Sequence, residues 1–294
     1  MIRDRTLSSR ILDAVILGCM IFAALLCFMP LWYTLCVSLS EKSAATAGLV
    51  SFWPVGFNLS AYRNIMADAK FFGSFWTSVQ RVVLGSALNY IVIILMAYPL
   101  SKSAKDFKQR NALMWILVFT MLFNGGLIPW YQTVKSLGLI NSIWGLVLGN
   151  SVPMFSVILV INFFRNLPKE LEEAAVVDGA GPWFILFRLF VPLSVPVLAT
   201  VTLFSIVYHW NEFFNGLVLI SKADHYPLQT YIQQMVVNLN MGVMTEDQYK
   251  RMNELSNQTL NAAKIFIAMV PVLCIYPFLQ RYFITGITLG SVKE

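Results

Sequence analysis

The stretch PKELEEAAVVDGAGPW, residues 168–183, is unlike the chain around it. It holds Glu170, Glu172, Glu173 and Asp178, yet the whole chain of 294 residues has only 15 acidic groups and is 57% hydrophobic. Pro168 suits a first helical position, where its missing N–H is no loss, and Glu170, Glu172 and Glu173 favour the positive end of a helix dipole. Ala174 and Ala175 propagate that helix. Gly179 and Gly181 stop it, and Pro182 opens another. The expected structure is a short helix, a tight turn and a second short helix running into the next apolar segment. Leu171, Ala174, Ala175 and Asp178 fall at helical spacing and could share one face. Such a hairpin is a natural docking knob for a soluble partner. By composition alone, an ordinary solvated loop fits equally well.

Working outward, the flanking sequence is that of a membrane protein. Charged residues make up 12%, about half the share of a soluble domain. Apolar runs near twenty residues recur, each long enough to cross about 30 Å of hydrocarbon as a helix. A transmembrane barrel would show short alternating segments instead. The predicted fold is all-α, a polytopic membrane protein with six transmembrane helices in one domain, residues 1–294. The spans are drawn at residues 11–39, 75–100, 112–131, 142–164, 192–220 and 262–283, with the hairpin in the loop 166–191. The first span is read as an uncleaved anchor, because its apolar core exceeds that of a signal peptide. Gly125, Gly126 and Pro129 interrupt the third span, Gly149, Asn150 and Pro153 the fourth, and Pro271 and Pro277 the sixth. Backbone groups freed at membrane depth are tolerated only against protein or a watery cavity, so the breaks fit a pathway protein.

Charge sets the expected orientation. Arg3, Arg5 and Arg10 precede the first span, and Lys102, Lys105, Lys108 and Arg110 fill the link between the second and third. Both clusters are expected in the cytoplasm. Both termini and the acidic loop are then cytoplasmic, and the loops 40–74 and 221–261 face outward. The net charge of +6 is read as this topological signal, with no nucleic acid implied. Cys19, Cys27, Cys36 and Cys274 lie in apolar runs and read as small buried hydrophobes, not disulfides or metal ligands. His209 and His225 are too few and too far apart for a metal site, and none is expected.

A second unusual stretch is YHWNEFFN, residues 208–215. Tyr208, Glu212 and Asn215 fall on one helical face, with Asn211 stacked on Asn215. An intramembrane carboxylate is costly and faces the interior, a partner or water. Tyr208, Asn211, Glu212 and Asn215 are candidate substrate-pathway residues, with Tyr208, Trp210 and Phe213 offering aromatic faces to a sugar. A structural network through Glu212 is the alternative. Arg81, read as the only basic residue well inside a span, either pairs with Glu212, meets an acidic sugar or snorkels outward.

The motif Glu173-Ala174-Ala175, then Gly179, then Leu189-x-Val191-Pro192 resembles the Glu-Ala-Ala coupling loop of ABC importer permeases at every spacing, with apolar replacing apolar at Leu189 and Val191. Asp178 and Ala180 also match the sugar permeases. The stretches FNGGLIPWYQTVKSLGLINSIWGLVL, HWNEFFN and YPLQTYI are similar to the maltose-type branch, and LQRYFITGITLGSVKE to permeases for complex oligosaccharides. The resemblance implies a bacterial inner-membrane permease subunit that is not itself catalytic. Its implied partners are a second homologous permease, two cytoplasmic ATP-binding subunits and an extracytoplasmic sugar-binding protein, which approaches the outer loop around residues 221–261. ATP and Mg2+ would sit on the ATPases, with no cofactor in this chain, which contains no Gly-x-x-x-x-Gly-Lys-Ser/Thr. The implied coupling residues are Glu172, Glu173, Ala174, Ala175, Asp178, Gly179, Ala180, Gly181 and Pro192, with the tail 290–294 reaching between the ATPases. An acidic saccharide such as an alginate or other uronate oligomer is compatible with the branch. Two readings from other classes remain at this point: a transporter driven by an ion gradient through Glu212, and a scaffold that only recruits a soluble protein.

Overall fold

The computed structural model describes residues 7–237 and 258–291. Arg3, Arg5, Lys250, Arg251 and the last residues of the tail lie outside the described residues. Those described are helical, with no strand among them. In order, the helices are α1 (Leu7–Ser38), α2 (Lys42–Thr46), α3 (Ser60–Ala67), α4 (Ala69–Ser101), α5 (Arg110–Leu122), α6 (Leu127–Ser136), α7 (Ile143–Leu148) and α8 (Met154–Arg165). Then come α9 (Lys169–Val177), α10 (Pro182–Ile185), α11 (Val191–Leu193), α12 (Val195–Asn211), α13 (Phe214–Leu219), α14 (Leu228–Val237) and α15 (Gln258–Ser291).

Three segments are long and apolar enough to cross a membrane unaided: Ser9–Ser38, Ala69–Ser101 and Gln258–Pro277. They correspond to the first, second and sixth predicted spans. The other three predicted spans are broken. The third is two helices, α5 and α6, meeting at 114°. Gly126 makes that corner with φ 88 and ψ 167, a conformation that a Cβ forbids. The fourth is α7 and α8, and α8, at 12 residues, is too short to cross about 30 Å by itself. The fifth begins later than residue 192. The chain turns 83° between Pro182–Leu193 and Val195–Asn211, so Pro192 belongs to the arm before the bend. It also ends early, because α12 stops at Asn211 and α13 starts at Phe214. The sixth is corrected in the opposite sense: α15 is assigned as one helix that includes Pro271 and Pro277.

The chain divides into two compact units. One comprises Met1–Ala69 and Gln234–Val270. Within it, Cys36, Val37, Ala44, Ala45, Val50 and Ala262 form a small core. Lys264, at the start of α15, is buried and donates to Asp68 at 2.8 Å. Arg81 is therefore not the only basic residue inside a predicted span. In α1, none of the most apolar window is buried, as expected for a helix whose solvent is hydrocarbon.

The second unit comprises Lys70–Gln233 and Pro271–Glu294. Its core joins Ile93, Ile94, Ala97 and Leu100 of α4, Val157, Val160, Ile161 and Phe164 of α8, and Val197, Leu198 and Val201 of α12. At the end of α4, the Leu100 carbonyl accepts from Arg110 Nε at 3.2 Å and from Arg165 at 3.0 Å. Two cations thus satisfy a carbonyl that the helix leaves open.

Candidate functional site

Both candidate regions lie in the second unit. In the acidic loop, α9 begins at Lys169, and Pro168 sits one residue outside it with φ −57 and ψ 126. Gly179 N–H bonds the Val176 carbonyl at 3.0 Å, and Ala180 N–H bonds the Ala175 carbonyl at 2.9 Å. This crossed pair is a Schellman stop, which requires the residue after the cap to be left-handed. Gly179 supplies that with φ 81. Gly181 does not share the role, since φ −76 is open to any residue. Pro182 occupies the first turn of α10 as predicted. The returning arm then widens into a π turn, Leu186–Phe190, in which Val191 N–H reaches back to Leu186. The widening falls just before Pro192, whose ring clashes with the carbonyl an α-helix would aim at it.

The hairpin is rooted in the core. Ile185, Leu186 and Phe190 are buried there, with Ala175 and Ala180 packed alongside. The Phe190 ring meets Tyr98 edge-on at 5.1 Å and Phe164 at 5.2 Å, contacts worth about 0.5–1.5 kcal/mol each beyond their area. Lys102, just past α4, pairs with Glu172 and lies 4.1 Å from the Tyr98 ring centre and 4.5 Å from that of Phe190.

Two expectations change as a result. Leu171, Ala174, Ala175 and Asp178 do not form one outward face: Ala175 turns to the core while the others are exposed. Glu172 is held by Lys102 within the chain, whereas Glu173 is exposed and has no such bond. What composition did not reveal is an apolar surface on the hairpin: Val177 is 86% exposed, Trp183 67% and Phe184 60%.

The Lys102–Glu172 pair is partly open to water, so its stabilising effect is small, about 0.2–1 kcal/mol. Its effect on coupling is expected to be larger, because it fixes the first turn of α9 against α4. Lys102→Glu should slow transport by a complete complex while leaving expression intact. The double variant Lys102→Glu with Glu172→Lys should recover most of the rate. Equal rates for the single and double variants would mean that the pair positions nothing.

The second region is the break between α12 and α13. Arg81 is fully buried on α4. One guanidinium nitrogen donates to the Glu212 carbonyl oxygen at 2.7 Å, and another pairs with its carboxylate. The other carboxylate oxygen accepts from Asn215 N–H at 2.7 Å, so Glu212 also caps the start of α13. Of the three roles open to Arg81, pairing with Glu212 is the one observed. Tied at both oxygens, Glu212 is poorly placed as a free relay for an ion gradient. Because the helix breaks, Asn211 does not stack on Asn215: the first is exposed and the second buried. Tyr208 is 38% exposed and Phe213 37%, whereas Trp210 is buried edge-on against Phe75 at 5.6 Å and offers no face to a sugar.

Residues not singled out from sequence complete the region. Asn89 on α4 is fully buried. With its amide oriented to satisfy both ends, it donates to the carbonyls of Asn150 at 2.9 Å and Ser151 at 3.1 Å and accepts from Ser205 at 2.8 Å. It thus satisfies backbone freed where the fourth span breaks, a need that buried carbonyls impose in lipid. Between Arg81 and Asn89, Gly85 leaves room for the buried His209 ring, which a Cβ would strike. The legible signal was spacing: 81, 85 and 89 share one face of α4.

Helices long and apolar enough to cross a membrane, broken helix pairs and a core-rooted hairpin fit a polytopic membrane permease. Residues 69–289 match the family described as binding-protein-dependent transport system inner membrane component, and the chain belongs to that family. It is 36% identical over 98% of its length to the whole of the polygalacturonan/rhamnogalacturonan transport system permease protein YtcP of Bacillus subtilis (strain 168). It is also 36% identical to protein LplC of the same organism, over 90% of this chain and 89% of that one. Among solved structures it is similar to a bacterial ABC transporter involved in the import of the acidic polysaccharide alginate. The TM-score is 0.84 and the identity 33%, over 95% of this chain and 98% of that one. The chain is a permease component of an ABC sugar importer, and its relatives are transport subunits rather than enzymes.

Proposed function

We propose that this chain is one of two membrane subunits of an ATP-driven importer of acidic oligosaccharides, working by alternating access. The observation that carries this reading is the hairpin. Its tip exposes Val177, Trp183 and Phe184 beside Glu173, while Ile185, Leu186 and Phe190 anchor its returning arm in the transmembrane core. Exposed apolar surface of this kind marks a protein contact. Movement imposed at the tip reaches α4, α8 and α12 through packed side chains, which transmit displacement because they have little free volume.

In this reading two cytoplasmic ATPases hold ATP and Mg2+, and one of them grips the hairpin. Glu173 meets basic groups on the ATPase, Gly179 makes the turn, and Asp178, Ala180, Gly181 and Pro192 shape its two arms. A second homologous permease lies alongside in the lipid, and a sugar-binding protein delivers substrate from outside. With the broken spans counted as crossings, the chain has six and both termini are cytoplasmic. The Lys102–Glu172 contact supports that count, since it brings the loops after the second and fourth spans to one side. That is the basic side which positive charge assigns to the cytoplasm.

The acidic substrate rests on chemistry shared by the relatives, since alginate and polygalacturonan are both polymers of uronic acids. It does not rest on Arg81, whose charge is taken up by Glu212. Tyr208 and Phe213, partly exposed, and Asn211 are the candidates left for sugar contact.

Purification from the native membrane in mild detergent, with mass identification of whatever accompanies the chain, tests the assembly. A homologous permease and an ATPase carrying a Walker A sequence are expected. The chain alone, stable and homogeneous, would overturn the reading. With the assembly in hand, oligogalacturonate and alginate oligomers should stimulate ATP hydrolysis more than neutral oligosaccharides of equal length. Equal stimulation would remove the acidic assignment and leave the importer standing.

A further inference from the structure

The breaks in the fourth and fifth spans are not independent. The half-helix α7 follows Asn141, and α13 ends just before Ile220. At that end, Asn141 N–H bonds the Leu219 carbonyl at 2.9 Å, and the Asn141 side chain accepts from Ser221 N–H at 2.7 Å and its hydroxyl at 3.0 Å. Asn141 holds φ 57, the left-handed region that asparagine tolerates better than other side chains. At the opposite end of the pair, Gly149 lies so close to Asn215 that a Cβ would come within 2.8 Å of its side-chain nitrogen. The two half-helices are therefore hydrogen-bonded at one end and closely packed at the other. A third element joins them: Thr230 on α14 donates to the Phe213 carbonyl at 2.8 Å.

One face of α4 holds this block. Ser78 accepts from Leu228 N–H at 2.7 Å, at the start of α14. Arg81 grips the Glu212 break, Gly85 admits His209, and Asn89 grips the Asn150–Ser151 break. Residues 78, 81, 85 and 89 follow one another at helical spacing over about 16 Å of helix. All four are buried within one unit.

We propose that α7 and α13 move as a single gate body in the transport cycle, and that Arg81 and Asn89 are positioning residues holding both span breaks to α4. The proposal goes beyond docking of the ATPase: it says which parts of the pathway stay together when the hairpin moves. Each broken span alone would be free to bend at its own non-helical link. Bonded at Asn141–Ser221 and packed closely at Gly149–Asn215, they bend together. Asn89 and Arg81 supply polar partners for the carbonyls of Asn150, Ser151 and Glu212 at the two breaks. The rotation is then carried at the links 149–153 and 212–213, with α4 as the fixed rail.

The test is a reversible cross-link in the assembled transporter. Asn141→Cys and Ser221→Cys are introduced together in a background in which Cys19, Cys27, Cys36 and Cys274 are replaced by alanine. The native side chains are hydrogen-bonded, and peptide mass analysis reports whether the disulfide has formed. If the two half-helices are one body, sugar uptake and sugar-stimulated ATP hydrolysis are the same in the oxidised and reduced states. If they separate during the cycle, oxidation abolishes uptake and reductant restores it, and the proposal is overturned. Uptake by the reduced variant shows that the importer itself works, so a failure of the gate body is distinguishable from a failure of the functional reading. A second variant tests the rail. Asn89→Leu should cut uptake about tenfold while the complex still assembles and hydrolyses ATP, and Asn89→Gln should restore part of it. Uptake falling only in proportion to assembled complex would give Asn89 a purely structural role and overturn its part.

Discussion

Arg81→Leu should remove most of the folded chain from the membrane. The guanidinium is completely buried, and its partner Glu212 is nearly so. Without Arg81, the Glu212 carboxylate and its backbone carbonyl lose both charge-assisted bonds in a largely buried place. Breaking a buried pair from one side costs about 3–5 kcal/mol, a large part of the roughly 5–15 kcal/mol that holds a typical domain together. The second loss is local: Glu212 also caps α13 through Asn215 N–H. The measurement is the yield of monodisperse protein in detergent and its thermal midpoint. Removing both charges together, Arg81→Met with Glu212→Gln, should recover much of the yield, because no unpaired charge is left and Gln keeps an acceptor for Asn215. The recovered variant also tests a question of function. If it carries acidic oligomers at the normal rate per complex, Arg81 is a structural cation and not a reader of uronate. A folded, monodisperse Arg81→Leu single variant would show that the pair is dispensable and would undo this account.

How much of this was legible follows from which signals are local. Apolar runs near twenty residues gave α1, α4 and α15, because a helix in lipid needs nothing but length and hydrophobicity. The hairpin was legible because capping is local as well: Gly179 stops α9 and Pro182 opens α10 without help from elsewhere. The broken spans were only partly legible. Gly126 marked a corner, but a 114° turn depends on what α5 and α6 pack against. Prolines misled in the other direction. Pro271 and Pro277 lie inside a continuous α15, while the real end of α12 at Asn211 has no proline beside it. That end is set by Arg81, 131 residues earlier in the chain, which takes the Glu212 carbonyl. Pairings at such separation leave no periodic trace. Arg81 pairing with Glu212 was one reading the sequence offered, but the break it sets was not, and the same reason hid the partners of Asn89 and the capture of Glu172 by Lys102.

Glu173→Lys and Gly179→Val should each abolish transport without disturbing insertion, and the two fail for different reasons. Glu173 is exposed and makes no bond among the described residues, so reversing its charge changes stability by no more than about 0.5 kcal/mol. Its cost falls on the partner contact. Losing a buried charge pair across an interface costs about 2–5 kcal/mol, which is more than tenfold in affinity at 1.4 kcal/mol per decade. Gly179→Val acts on the backbone instead. No atom lies within 4 Å of the site where its Cβ would stand, so the valine meets no steric neighbour. What it cannot do cheaply is hold φ 81, since the left-handed region costs an L-residue about 1–2 kcal/mol and a β-branched one more. The Schellman bonds at Val176 and Ala175 loosen, and the tip carrying Val177 and Trp183 is no longer aimed. The returning arm stays in place, because Ile185, Leu186 and Phe190 are held by the core. Both variants should therefore reach the membrane in normal amount, and pull-down with the ATPase should report the loss. Gly179→Ala separates strain from bulk and should retain part of the activity. Normal uptake by both Glu173→Lys and Gly179→Val would leave the hairpin a solvated loop, the reading its composition first allowed. Loss by Gly179→Val alone would keep the hairpin as the contact but place its binding energy in the apolar tip rather than in Glu173.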